Sequence, residues 1–266
     1  MRVTTRWTPG RPAARPGPEA VGEPAGRGPE SLNLWNRGLG TVPEEVWDRT
    51  ALRVLILAGN GLTGLSPRIA GLRRLHTLDL GHNALAAVPE ELGELTGLTR
   101  FLYLHDNRLT ELPRSLIRLT RLRYLNAGEN PLTALPPDLG SLTGLVELRL
   151  QHCALTVFPE SAGALRNLRE LWLRGNRLTE LPGSLGGLKE LRELDLRGNR
   201  LTGLPDRMAG LPLLRRLDLR SNPLRELPEW LTGLPSLEKL DLRWTGADER
   251  SPVVRELTGR GCAVLL

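Results

Sequence analysis

Leu75-His76-Thr77-Leu78-Asp79-Leu80-Gly81-His82-Asn83-Ala84-Leu85 sets apolar residues at fixed places around one asparagine, and the same frame returns from Leu168 to Leu178 and nine times in all. The asparagine fixes the register. It stands at Asn60, Asn83, Asn107, Asn130, Asn176, Asn199 and Asn222; Cys153 and Thr245 fall in the same slot, and Arg37 marks a degenerate first copy. Successive copies lie 23 residues apart, except for the 24 residues from Asn83 to Asn107. A fixed period of this size marks a chain built by stacking one unit, because each unit buries its apolar face only against its neighbours.

Within each copy the Leu-x-Leu alternation sends one set of side chains inward and the next to the opposite face, as a short strand does. Stacked copies therefore predict a parallel sheet. The tail of each copy tends toward Leu-Pro-x-x-Leu-x-x-Leu, as in Leu112-Pro113-Arg114-Ser115-Leu116 through Leu119. Its leucines, three apart, predict a short helical turn that begins at the proline, where a missing amide proton costs little. Return segments need more room than strands, so the stack must curve. Ten strands spaced about 4.8 Å apart give a concave sheet roughly 45 Å across. A buried asparagine amide both donates and accepts, so it satisfies backbone groups left open where each strand turns away. Cys153 is read in that slot as a ladder residue and Cys262 as a small buried apolar residue, neither as a nucleophile.

The frame covers residues 31–245. Ahead of it, residues 1–30 are dense in proline, glycine and arginine, which predicts a disordered arm pinned at most by Trp7. Behind it, Ser251-Pro252 starts a predicted helix with Val253, Val254 and Leu257 on one side and Gly259 and Gly261 as its stop, so residues 246–266 read as a C-terminal cap. Two cysteines are too few for a disulfide framework, and no apolar run reaches the length of a secretory signal or a membrane span. A cytoplasmic protein without membrane contact is the expectation. Of 36 basic residues only Lys189 and Lys239 are lysines, and 30 acidic residues interleave with them to leave a net charge of +6. That distribution argues against nucleic acid as the partner.

Function must lie in the positions free of the frame. Trp35, Phe101, Tyr103, Tyr124, Trp172 and Trp244 fall between or just after strand leucines, so they are placed on the concave face or its rim. Exposed aromatic side chains bury large area at small entropic cost when a partner docks. The Phe101, Tyr103, Tyr124 cluster also lies beside the 24-residue interval, where one extra residue near Leu98-Thr99-Arg100-Phe101-Leu102 predicts a bulged strand. Toward the C-terminus Asp195, Asp218 and Asp241 form one column, and Arg174, Arg197, Arg220 and Arg243 the next. Those columns read either as self-paired charge or as arginines, with Arg149, that take a partner's carboxylates. His82, Asp106, Glu129 and His152 share a row just after the strands, with His105 adjacent; its ends lie about 15 Å apart, so no single metal ion joins them all. No phosphate loop, Gly-x-Ser-x-Gly elbow or His-Glu-x-x-His pair is found, so neither an active site nor a cofactor is expected.

The repeat frame resembles the leucine-rich-repeat superfamily, and its 23-residue period with the Leu-Pro tail is most similar to the intracellular Ras-suppressor-like group. The resemblance implies an α/β solenoid with the parallel sheet on its concave face, and a non-enzymatic protein-binding module or signalling scaffold. Some bacterial relatives add a ubiquitin-ligase domain with Cys-x-Asp; the late cysteine here lies in Cys262-Ala263-Val264, which departs from that pattern. The expected binding residues are Phe101, Tyr103, Tyr124, Arg149, Trp172, Arg174, Arg197 and Arg220. The alternatives are a targeting subunit of an enzyme or signalling complex and, further off, nucleic-acid binding.

Overall fold

The computed structural model describes residues 30–266, so the arm expected over 1–30, with Trp7, lies outside the described residues apart from Glu30. Each repeat contributes one three-residue strand. They are β1 (Ser31–Asn33), β2 (Val54–Ile56), β3 (Thr77–Asp79), β4 (Phe101–Tyr103), β5 (Tyr124–Asn126), β6 (Glu147–Arg149), β7 (Glu170–Trp172), β8 (Glu193–Asp195), β9 (Arg216–Asp218) and β10 (Lys239–Asp241). An eleventh, β11 (Ala263–Leu265), follows the helix α1 (Pro252–Gly259) and pairs in parallel with β10. All eleven form one open parallel sheet in sequence order. From β2 to β10 the frame leucine of each strand pairs with that of the next, as Leu78 with Leu102 and Leu102 with Leu125, and these side chains are buried. Each such leucine removed from water is worth about 1.5–3 kcal/mol.

Among the described residues nine short 3₁₀ segments carry the chain back along the opposite side. Seven of them follow a proline that caps the segment; only Pro67 occupies the first helical position, behind the cap Ser66. The proline thus acts one residue earlier than its sequence context suggests. Its carbonyl is the first acceptor of the turn, as when Leu116 N–H donates to Pro113 O at 3.1 Å, while its absent N–H lies outside the hydrogen-bonded run. Leu116 and Leu119, three apart, both point into the core.

The extra residue of the 24-residue interval does not bulge a strand. β3 and β4 pair in regular register, Thr77 with Phe101 and Asp79 with Tyr103. Arg100 N–H donates to His76 O as His76 N–H donates to Arg53 O, so Thr99 is the residue absorbed, in the turn before β4. An irregular turn has slack that a hydrogen-bonded ladder lacks.

The asparagine slot forms a continuous ladder. Asn130 Nδ2 donates to Leu104 O (2.9 Å) and Ala127 O (3.1 Å), while its Oδ1 accepts from Leu109 N–H (3.0 Å), tying the preceding repeat to its own. Asn107, Asn176, Asn199 and Asn222 repeat the pattern, and all are buried. Cys153 holds the slot with two weak thiol contacts, to Ala127 O at 3.6 Å and Gln151 O at 3.7 Å, and burial pushes its pKa up to about 11. A thiol held protonated in this way is a ladder residue and a poor nucleophile. At the C-terminal end, α1 buries Val253, Val254 and Leu257, and Cys262 is buried beneath the entry to β11.

Candidate functional site

Three columns of side chains run across the concave sheet, set by the first strand residue, the third, and the residue two beyond it. The first column reads Thr77, Phe101, Tyr124, Glu147, Glu170, Glu193, Arg216, Lys239. In the second lie Asp79, Tyr103, Asn126, Arg149, Trp172, Asp195, Asp218 and Asp241. The third holds Gly81, His105, Gly128, Gln151, Arg174, Arg197, Arg220 and Arg243. Parallel in-register pairing brings each residue beside its column neighbours.

The rings of β4 and β5 pack on one another. Phe101 stacks on Tyr103 with centroids 6.0 Å apart, Tyr124 meets Phe101 at 5.6 Å and Tyr103 at 5.0 Å, and His105 meets Tyr103 at 6.0 Å. The row then continues through a cation: the Arg149 guanidinium, held by Glu147, lies 5.8 Å from the Tyr124 ring and 5.2 Å from the Trp172 ring. Sequence position alone suggested exposed rings. Phe101, Tyr103 and Trp172 are instead half-buried, and Tyr124 is only 5% exposed because its neighbours on β4 and β6 close over it. Burial pushes the phenols of Tyr103 and Tyr124 upward, so both stay neutral hydrogen-bonding groups. Trp35 and Trp244, 61% and 73% exposed, stand near opposite ends of the stack, apart from this cluster.

The row His82, Asp106, Glu129 and His152 has a backbone explanation. Each adopts a left-handed conformation, with φ between 52° and 58°, in the slot that Gly59, Gly175 and Gly198 fill elsewhere. Asparagine, aspartate, histidine and glycine tolerate that turn best. His82 Nδ1 lies 2.7 Å from Asp106 Oδ2, and the Nε2 atoms of His82 and His105 are 3.1 Å apart. Among the described residues no three such groups are placed to hold a metal ion.

Burial first, and then the neighbouring His82, hold the pKa of His105 below its ordinary value; burial does the same to His76 and His152. A histidine whose folded pKa is depressed binds fewer protons folded than unfolded. Its contribution is therefore present above the ordinary value near 6.5 and lost as the pH falls below it. Thermal stability is expected to drop on acidification from pH 7 to pH 5.5, and His105→Asn to flatten that slope in a melting series. An unchanged slope removes His105 from the account.

Charge in the C-terminal half is paired unevenly. Arg220 is bound to Asp218, with Nε 2.9 Å from Oδ1, and reaches Asp241 at 3.4 Å; Arg243 holds Asp241 at 2.8 Å. Burial opposes the charge of Asp241, but Arg243 and Arg220 outweigh it and keep its carboxyl below the usual range. Arg174, Arg197 and Asp195 form no ion pair among the described residues. The paired reading of these columns thus describes Asp218 and Asp241, while one repeat earlier the charges stand open. Glu147, Glu170 and Glu193 form an acidic run that the aspartate and arginine columns overshadow in the sequence. Burial, then Glu147 and Glu193, push the Glu170 carboxyl upward, while its Oε2 accepts a hydrogen bond from Trp172 Nε1 at 3.3 Å.

The model of the leucine-rich repeat matches residues 73–132, 143–201 and 190–246. The chain belongs to the leucine-rich-repeat family. No curated protein matches it closely enough to count as a relative. Among solved structures it is similar to a leucine-rich-repeat protein of Leptospira interrogans, with 30% identity over 85% of this chain and 63% of that one and a TM-score of 0.66. It is also similar to the leucine-rich-repeat domain of the type III effector XopL: 30% identity, 84% of this chain, 78% of that one, TM-score 0.72. The ectodomain of the Arabidopsis thaliana receptor kinase GASSHO1/SCHENGEN3, in complex with CASPARIAN STRIP INTEGRITY FACTOR 2, matches at 29% identity and a TM-score of 0.73. There the match covers 89% of this chain and 29% of the receptor. The chain thus spans less than two thirds of the length of several structures that it matches.

Leucine-rich-repeat domains are in general protein-interaction modules. Sequence alone singled out most of the second-column aromatic and charged residues of this one. It missed Gln151, whose buried amide fills the space above Gly128, since an isolated glutamine beside the strand carries no pattern. Among the described residues no helix is long and apolar enough to cross a membrane.

Proposed function

We propose that the protein is a non-enzymatic binding module that holds a segment of a partner protein on its concave face. The observation that carries this is the continuous row Phe101, Tyr103, Tyr124, Arg149, Trp172, in which half-buried rings and a guanidinium cross four strands without a break. Such a row offers large, rigid, partly dry area where a partner loses little entropy on docking. Tyr124 supports the row from below, while Phe101, Tyr103 and Trp172 stay partly exposed; Arg174 and Arg197 supply directional donors, and Arg220 would join them on release from Asp218. The reading places the protein in the cytoplasm, where Cys153 and Cys262 stay thiols, which cell fractionation can check.

The test is capture of the partner from the native cell, followed by its affinity for the Phe101→Ala, Tyr103→Ala double variant. Two anchors of this kind are expected to cost at least thirtyfold in affinity, with the far-ultraviolet circular dichroism unchanged. Retention of the partner at full affinity by a folded variant overturns the proposal.

A further inference from the structure

Among the described residues two aspartates of the second column have no ion pair, Asp79 on β3 and Asp195 on β8, and of these Asp195 lies beside Trp172. Asp218 and Asp241 are held by Arg220 and Arg243, whereas Asp195 receives only the backbone N–H of Arg197, at 3.1 Å on Oδ1. Its Oδ2 has no hydrogen-bond partner among the described residues, and the residue is 9% exposed. Burial pushes its carboxyl upward, and Asp218 adds to the effect; Arg174 and Arg197 act in the opposite sense from a distance. A carboxylate so far out of water, with no counter-charge in contact, is unfavourable as it stands.

The same carboxylate lines a hollow of about 120 Å³ with Trp172, Glu193 and Asp218. Leu194 and Leu217 form its apolar base. Trp172 separates this hollow from Arg149, which already rests against the indole from the β6 side. Two cations also border the hollow: Arg216 is committed to Glu193 at 2.8 Å, and Lys239 is exposed at the far side. The volume admits the tip of one side chain and little more. An aromatic wall, an unpaired buried carboxylate and an apolar base together suit a flat or compact cation.

We propose that this hollow takes the guanidinium or ammonium tip of an arginine or lysine presented by an extended segment of the partner. The proposal rests on the concave-face reading and adds the chemistry of one partner residue to it. The segment would lie along the second column, its basic side chain against Trp172 and Asp195, its neighbours over the aromatic row.

The test needs no partner. N-acetyl-arginine amide is titrated into the full ¹⁵N-labelled chain while the indole N–H resonance of Trp172 is followed, beside the neutral isostere N-acetyl-citrulline amide and the acidic N-acetyl-aspartate amide. The arginine derivative is expected to shift the resonance saturably and the other two to leave it in place. Asp195→Asn, which keeps the acceptor for Arg197 N–H, should weaken that binding about tenfold; Asp218→Asn, whose charge is already met by Arg220, should change it less than twofold. Equal shifts from citrulline, binding of the aspartate derivative instead, or equal losses in the two variants each overturn the proposal. Failure here with loss of the captured partner by the Phe101, Tyr103 variant leaves the concave-face reading standing, so the two are separable.

Discussion

Asn130→Ala is expected to lower the thermal midpoint by about 6–12 °C. The truncation abandons the carbonyls of Leu104 and Ala127 and the N–H of Leu109, three backbone groups in a place that water does not reach. Each lost partner costs about 1 kcal/mol, or about 3 kcal/mol together, and in a chain of this size each kcal/mol moves the midpoint by about 2–4 °C. The reciprocal change is Cys153→Asn. It replaces two sulfur contacts beyond 3.5 Å with an amide able to serve the preceding repeat as Asn130 does, and should raise the midpoint. A melting series of the two variants checks both signs; an unchanged midpoint for Asn130→Ala would mean that the ladder contributes only geometry.

Gly140→Ala should be nearly as damaging, for a different reason. An added methyl would stand 2.0 Å from Ser161 O and 2.7 Å from Ser161 C, which are backbone atoms of the following repeat. No rotamer can relieve that approach, so the return segments must separate, at a cost of about 1–3 kcal/mol. Gly93, Gly163 and Gly186 meet the backbone of their next repeats within 2.4 Å in the same way, so the convex side is packed chain against chain. Gly233 is the control: nothing lies within 4 Å of its added methyl, and Gly233→Ala should change stability by less than about 0.5 kcal/mol. Urea titrations of the pair decide the matter, and equal midpoints would show that the return segments are loosely held.

Why the frame is legible and the site only partly so follows from range. Leu78, Leu80, Asn83 and Leu85 act within one repeat and against identical residues next door, so their roles repeat in the sequence as often as in space. β11 escapes that logic because Ala263-Val264-Leu265 lacks the frame and joins the sheet only through its pairing with Lys239–Asp241. The burial of Tyr124 depends on Tyr103 and Arg149, each about one repeat away, and no pattern internal to a repeat announces it. The extra residue at Thr99 was visible, but where it is absorbed was not: the turn before β4 yields before a strand whose hydrogen bonds continue on both sides. The left-handed slot was legible as a row of His, Asp and Glu, yet its cause is torsional and only secondarily chemical.

The uniform pairing of leucine with leucine across the strands has an evolutionary corollary. Because every joint between repeats is made of the same parts, one whole unit can be duplicated or removed without inventing a new joint. Duplication of the β6 or the β7 unit would slide the aromatic tract away from the charged tract by one strand spacing, about 4.8 Å, and would keep one Arg149–Trp172 contact at the joint. The distance between the two tracts is thus adjustable in fixed steps of one repeat.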